Sequence, residues 1–172
     1  RRRREEHYGR QMAKLDSQHR YDLPAVFGPS PVPDVTSMGA VQTISVPFRT
    51  TPGAARDLLP RYFEPTDNPI VTVAHTMNRD VDYMGGRGYN IVRVGVTAVF
   101  KGENETIVAP YAPVIWESDA APIILGRERG GYAKIFGSIP DAVDTEDGST
   151  FECREYETTL LRAEVTGWQP IE

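Results

Sequence analysis

Two long runs rich in β-branched residues constrain the fold of this chain more than any other feature. They cover residues 88–101 and 105–116, and the segment 102–104 between them is typical of a hairpin connection. In the first run, apolar side chains occupy every second position: Val92, Val94, Val96, Ala98 and Phe100. A period of two indicates a strand with one buried face. An antiparallel sheet is therefore the predicted centre of the fold.

Weaker patterns on both sides of this hairpin predict further strands and a few short helices. Strands are expected at 39–48, 70–77, 132–138, 149–157 and 159–167, and helices at 4–20, from Pro52 to near Pro60, and at 119–129. Thr51 is the expected cap of the second helix, and Gly130 with Gly131 ends the third. Antiparallel strands with peripheral helices predict a mainly β (α+β) fold, either a barrel or a sandwich.

The chain is expected to divide into an N-terminal arm and one domain. Residues 1–37 combine a polar segment with the proline-rich stretch 23–33, which is poorly suited to regular structure and predicts an extended tether. Residues 38–172 contain all the predicted strands. A length of 172 residues fits a single domain.

Charge and hydropathy exclude two classes of partner. The net charge of −5 is poorly suited to a phosphate backbone, so no nucleic acid is expected. No apolar run approaches the roughly 20 residues of a membrane helix, so no membrane association is expected. The arginines at 1–4 lack the apolar stretch of a secretory signal.

Cysteine and histidine usage gives no sign of a metal or cofactor. The single cysteine, Cys153, excludes an internal disulfide framework and a cysteine-based zinc site, and it favours a reducing cytoplasmic compartment. The three histidines, His7, His19 and His75, lack metal-ligand spacing. A buried, unreactive thiol is the expected state of Cys153.

Lys134 is the residue with the most distinctive surroundings. It is one of three lysines, and its flanks at 131–133 and 135–137 carry no charge, whereas Lys14 and Lys101 lie in polar contexts. An ammonium in an apolar environment loses hydration, which favours the neutral amine, a nucleophile toward carbonyl carbons. The alternative is a lysine at a strand end whose charged tip reaches water.

The glycine-rich segment 84–90 predicts a tight bend rather than a phosphate-binding loop. A strand follows it, whereas a dinucleotide-binding motif requires a helix. Its glycines let the backbone approach another segment closely. Tyr89, Ile91 and Arg93 then share one face of the following strand.

The run from Trp116 to Gly137 resembles the acetoacetate decarboxylase family. Gly126, Arg127 and Glu128 correspond to a family motif, which is followed by a bend, an aromatic residue and the Schiff-base lysine, here Lys134. The segment 86–90 is similar to the wider superfamily, and the resemblance spans roughly residues 38–167. It implies a closed or partly closed, cone-like antiparallel β-barrel with helices outside, assembled into a homo-oligomer.

The chain departs from the family at four positions that carry chemistry. Ile135 replaces a second lysine, a position near Val41 replaces an arginine, and Ala74 and Ile91 replace two glutamates. The chain is also shorter than the family implies. The strands that complete the barrel are therefore expected on a second chain, or to have been removed or lost.

These departures require other residues to bind the substrate and move protons. Tyr89 is the first expected proton donor and Glu128 the second. Substrate-binding residues are expected at Arg93, Arg127, Tyr132 and Trp116. For Arg127 and Glu128, the alternative is a buried ion pair that stabilises the fold.

Three functions remain open at this point. The first is a Schiff-base lyase that decarboxylates a small keto acid without a cofactor. The second is an aldolase-dehydratase of the same superfamily that uses the same iminium. The third is a non-catalytic barrel that binds a small ligand or a partner subunit.

Overall fold

The computed structural model of the protein describes residues 15–22 and 35–167. Within 35–167 the chain forms nine strands, two α-helices and one 3-10 turn at Asp82–Met84. In chain order they are β1 (Ala40–Arg49), α1 (Pro52–Leu58), β2 (Phe63–Pro65), β3 (Ile70–Arg79), β4 (Tyr89–Lys101), β5 (Thr106–Glu117), α2 (Ala120–Gly130), β6 (Lys134–Phe136), β7 (Val143–Asp144), β8 (Gly148–Glu155) and β9 (Thr158–Thr166). The mainly β, α+β prediction is confirmed.

The predicted hairpin forms the centre of a six-stranded sheet. Its strand order is β1-β3-β4-β5-β6, and β2 pairs with the far end of β4. All pairs are antiparallel except β5 with β6, which is parallel. The hairpin closes where the N–H of Gly102 donates to the carbonyl oxygen of Glu105, 2.9 Å away.

Both helices begin at capping side chains. The Oγ1 of Thr51 accepts from the N–H of Ala54 at 3.2 Å, and the Oδ1 of Asp119 accepts from the N–H of Ala121 at 2.9 Å. These bonds satisfy backbone donors that have no partner within a helix. Helix α2 ends at Gly131, whose φ of 65° turns the chain back toward the sheet.

The two faces of the large sheet have different neighbours. One face places Ile44 and Val92 in an apolar cluster with Phe151 and Cys153 of β8. β8 lies in a separate sheet of order β7-β8-β9. Strand alternation puts Tyr89 on the opposite face from Val92, and α2 and β6 meet at that end of the sheet.

The described strands do not close into the predicted barrel. Within residues 35–167 no pairing joins β1 to β6, which are the two ends of the large sheet. β6 is only three residues long, and the chain after it enters the second sheet instead of extending the first. The apolar cluster between the two sheets is the physical reason, because it draws β8 onto a face rather than an edge.

Several local expectations differ from the structure. The sequence patterns did not predict β2, β7 or the 3-10 turn. Residues 15–20 form a turn rather than the end of a helix, because Asp16 accepts from the N–H of Gln18 at 2.9 Å. The rest of the predicted arm helix and the proline-rich tether lie outside the described residues. Neither helix of the described part is long and apolar enough to span a bilayer.

Candidate active site

Lys134 lies at the first position of β6, directly after the chain leaves α2. Its side chain is only 14% exposed, and Nζ donates to the carbonyl oxygen of Pro122 at 3.1 Å. The helix leaves space for it at Gly126, where a methyl group would lie about 2.4 Å from Cε of the lysine. The fold therefore holds this amine between a helix and a strand.

A buried carboxylate, Glu117, lies beside the lysine. Its Oε1 is 2.8 Å from Nζ of Lys134, and its side chain is 1% exposed. Neither carboxylate oxygen has a hydrogen bond of good geometry, although the two charges are in contact. Burial raises the pKa of the Glu117 carboxyl above its ordinary value, and the neighbouring Lys134 acts in the opposite direction.

A cavity of about 320 Å³ opens beside Lys134. Its walls include Lys134, the aromatic rings of Tyr83, Tyr89 and Tyr132, and the side chains of Leu125 and Arg129. The ring of Tyr132 lies with its centre 5.7 Å from Nζ. The cavity thus combines an amine and hydroxyl groups with apolar walls, which is typical of a site for a small organic ligand.

The two tyrosines at the bend form a pair. Tyr89 is buried, and its side chain lies next to that of Tyr83. Burial raises the pKa of both phenols above their ordinary value. Both hydroxyls therefore stay protonated, and either O–H can donate to a ligand.

The glycine-rich bend brings this pair into the cavity. Gly85 and Gly86 have φ angles of 67° and 81°, which favour glycine. A Cβ at Gly88 would lie about 2.4 Å from the carbonyl oxygen of Asn78. The predicted close approach of backbone to backbone is confirmed. It positions Tyr89, the first residue of β4.

Three of the seven predicted site residues line one cavity: Lys134, Tyr89 and Tyr132. Arg127 does not line it; its Nη1 donates to the main-chain carbonyl oxygen of Lys134 at 2.9 Å. It therefore contacts the backbone of β6. Glu128 is exposed on α2 and is also outside the cavity lining.

The remaining two predicted residues lie away from this cavity. Arg93 is exposed near the middle of β4 and does not line it. Trp116 packs against the cluster that contains Val92 and Phe151, on the other face of the sheet. Its Nε1 is buried without a hydrogen-bond partner in the described structure.

Sequence reasoning did not identify Glu117, Tyr83 or Arg129 as site residues. The alternation of β5 is a signal for Glu117, because it places this side chain on the face opposite to Trp116. Its register adds a second signal, since Glu117 pairs with Ile91, where the resemblance implies a lost glutamate. Tyr83 lies in a turn that no pattern predicted.

The described residues contain no group of three His, Cys, Asp or Glu side chains that could hold a metal ion. The polar side chains that line the cavity include the amine of Lys134, the guanidinium of Arg129 and the phenols of Tyr83, Tyr89 and Tyr132.

Comparison with known proteins identifies the family. The profile of the family described as "Acetoacetate decarboxylase (ADC)" matches residues 22–169. This chain belongs to the acetoacetate decarboxylase family. A search of curated proteins found no match.

Solved structures share the fold at low sequence identity. An acetoacetate decarboxylase structure has a TM-score of 0.66 and 17% identity, covering 81% of this chain and 54% of that one. The enduracididine biosynthesis enzyme MppR, complexed with the condensation product of pyruvate and imidazole 4-carboxaldehyde, has a TM-score of 0.56 and 20% identity, with coverages of 73% and 53%. Acetoacetate decarboxylase from Legionella pneumophila has a TM-score of 0.55 and 18% identity, with coverages of 76% and 52%. The chain thus spans about half the length of these relatives.

Proposed function

We propose that this member of the acetoacetate decarboxylase family is a Schiff-base-forming carbon–carbon lyase that acts on a small keto acid, with Lys134 as the nucleophile. The observation that carries the proposal is the position of the Lys134 side chain, 14% exposed and lining a cavity of about 320 Å³. Lys101 offers a contrast, because it is 62% exposed and paired with Glu64 on the surface.

The proposed reaction begins with attack of the neutral amine on the ketone carbon. A carbon–nitrogen bond forms, the carbonyl oxygen leaves as water, and a protonated imine results. The imine accepts the electron pair of the bond to the carboxylate, so carbon dioxide departs and an enamine remains. Protonation of the enamine carbon and hydrolysis by water then release the ketone and restore the lysine.

The cavity walls suit these steps. Leu125 and Pro122 form apolar walls beside the amine, which disfavours a bound carboxylate relative to the neutral product. Arg129 lines the same cavity and is the cation that we propose for the substrate carboxylate. Because burial raises the pKa of Tyr89, this phenol suits hydrogen-bond donation better than net proton release.

A second candidate is aldol addition followed by dehydration. Here the imine of pyruvate loses a proton rather than carbon dioxide, and the resulting enamine attacks an aldehyde. Ala74 and Ile91 at the positions of the family's glutamates favour this candidate, because the decarboxylase acid–base groups are replaced. The fold relative MppR, seen with a pyruvate condensation product, is consistent with it.

Product analysis separates these candidates and tests both. The protein is incubated with acetoacetate, with release of carbon dioxide and acetone measured, and separately with pyruvate and an aromatic aldehyde, with the condensation product measured. One of the two should turn over, and Lys134→Arg should reduce it to background because a guanidinium forms no Schiff base. Lys101→Arg is the matched control and should keep full activity.

Two results would contradict the proposal. The first is turnover that survives in Lys134→Arg. The second is no product from either substrate, which would favour a ligand-binding or subunit-interaction role.

A further inference from the structure

We propose that Glu117 is the acid–base partner of Lys134, which takes a proton from the ammonium before the amine attacks and returns it when water leaves. This inference rests on the proposed Schiff-base function and assigns its proton-transfer group. Glu117 qualifies as a catalytic residue because Oε1 lies 2.8 Å from Nζ, the reacting atom.

The hydrogen bonding of the carboxyl supports this role. Buried carboxylates normally accept several hydrogen bonds, which hold them in the charged form. Here both oxygens of Glu117 are buried, and apart from the contact of Oε1 with Nζ of Lys134 at 2.8 Å neither has a hydrogen-bond partner in the described structure, while Nζ also donates to the carbonyl oxygen of Pro122. A carboxyl oxygen with a lone pair that accepts no other hydrogen bond can bind a proton.

Burial and charge act in opposite directions on the Glu117 carboxyl: burial favours proton uptake, and the neighbouring Lys134 opposes it. Lys134 of β6, Tyr83 of the 3-10 turn and Tyr89 of β4 are the titratable groups near this carboxyl, and Arg129 of α2 lines the adjacent cavity. Burial is the largest influence on Glu117, and it favours the neutral acid. Transfer of one proton from Lys134 to Glu117 converts two buried charges into two neutral groups, which removes their desolvation penalty.

Every proton is accounted for when the imine forms on Lys134. The ammonium gives one proton to the carboxylate, and the amine lone pair then forms the bond to the carbonyl carbon, whose oxygen takes the second proton of the nitrogen. The resulting hydroxyl receives the proton held by Glu117 and departs as water. The products are the protonated imine, one water molecule and a restored carboxylate.

Glu117→Gln tests the inference, because the amide keeps the shape but cannot take up the proton. Turnover should fall by about 10²- to 10⁴-fold, the range expected for loss of a general acid–base group. The reactivity of the Lys134 amine toward an acylating reagent should rise in the same variant. Acylation of its amine by acetic anhydride at one fixed pH, mapped by mass spectrometry, should be faster in the variant than in the wild type, because the variant removes the negative charge beside the amine.

The chain contains a matched control pair on its surface. Lys101 and Glu64 lie 2.7 Å apart, but their side chains are 62% and 57% exposed. Glu64→Gln should leave turnover unchanged and shift the acylation of Lys101 only slightly, because water screens the pair. Glu117→Asp keeps a carboxylate one methylene further away, so it should fall between wild type and Glu117→Gln in both measurements. It replaces Glu117→Gln if that variant does not fold.

The outcomes separate this inference from the proposed function. If Glu117→Gln keeps wild-type turnover, or leaves the acylation of Lys134 unmoved, the acid–base role is wrong. A keto-acid adduct that still forms on wild-type Lys134 would then leave the Schiff-base proposal standing. If wild-type Lys134 forms no such adduct, the proposed function fails and this inference fails with it.

Discussion

The contact between Lys134 and Glu117 carries a high desolvation free energy for a folded protein. Both side chains are removed from water, at 14% and 1% exposure, and the carboxylate lacks well-formed hydrogen bonds. Buried ion pairs of this kind seldom stabilise a fold more than apolar side chains of the same size would. A chemical role explains this pair better than a structural role.

At the scale of single residues, the sequence predicted one member of this pair, Lys134, as a site residue and not the other, Glu117. The uncharged flanks of Lys134 predicted a buried amine, although Tyr132, Ile135 and Phe136 on those flanks are themselves exposed. Glu117 lies seventeen positions earlier, and its closeness to the lysine depends on the parallel pairing of β5 with β6. Residue spacing does not encode that pairing, because the bend at Gly131 and the length of α2 determine it together.

Gly126 offers a single-residue test of the space reserved for the amine. Gly126→Ala adds a methyl group about 2.4 Å from Cε of Lys134, so the flexible lysine must move. We expect the rate of keto-acid adduct formation to fall at least about tenfold, while the melting temperature stays the same or rises because alanine favours a helix.

Gly53→Ala in α1 is the control for this prediction. A methyl group there meets only the Oγ1 of Thr51, at 4.0 Å. Adduct formation should stay at the wild-type rate in this variant. An unchanged rate in Gly126→Ala would show that the packing of the helix against Lys134 does not matter for the amine.

Among the elements, the bend between the 3-10 turn and β4 positions the tyrosine pair. The sequence predicted a tight bend, because glycines cluster at 84–90, and the left-handed φ angles of Gly85 and Gly86 agree. It did not predict the 3-10 turn, because a single turn of helix leaves no periodic pattern. Tyr83 was missed for that reason.

Two glycines of this bend should respond differently to alanine. Gly88→Ala places a methyl group about 2.4 Å from a backbone oxygen of β3, which cannot move without breaking the pairing of β3 and β4. At Gly85 the methyl group meets nothing within 4 Å, and the cost is the left-handed backbone alone, about 1–2 kcal/mol. Urea unfolding should therefore show a clearly larger loss of stability for Gly88→Ala, and equal losses would contradict the predicted close approach.

Across the whole molecule, the fold class followed from the sequence and the closure of the sheet did not. Alternation predicted β1 and β4, and runs rich in apolar and β-branched residues predicted β3 and β5. Whether β8 extends the large sheet or packs on it depends on contacts between distant residues such as Val92 and Phe151. Local patterns contain no information of that kind.

The packing between the two sheets makes stability depend on pH through His75. This side chain is fully buried, its ring centre lies 5.3 Å from that of Phe151, and Nε2 lies 3.1 Å from the carbonyl oxygen of Pro140. Burial lowers the pKa of His75, while nearby Asp141 raises it and Arg79 lowers it. The unfolded chain therefore binds this proton more readily, and stability is lost as the pH falls from about 6.5 through the lower folded pKa.

Urea unfolding at pH 7.5 and pH 5.5 measures this effect. The wild-type free energy of unfolding should fall toward pH 5.5 by at most about 1.4 kcal/mol per pH unit from this group. His75→Gln keeps a side-chain N–H for Pro140 but has no charge to gain, so its stability should change less over the same range. An identical pH dependence in both proteins would remove His75 as the cause.

The most direct measurement of the central claim is reductive trapping on Lys134. The protein is mixed with acetoacetate or pyruvate, reduced with borohydride and mapped by mass spectrometry, with Lys101 in the same digest as the internal comparison. We expect one covalent adduct on Lys134, none on Lys101, and none anywhere in Lys134→Arg. Unmodified Lys134 with both keto acids, or equal modification of the two lysines, would contradict the account.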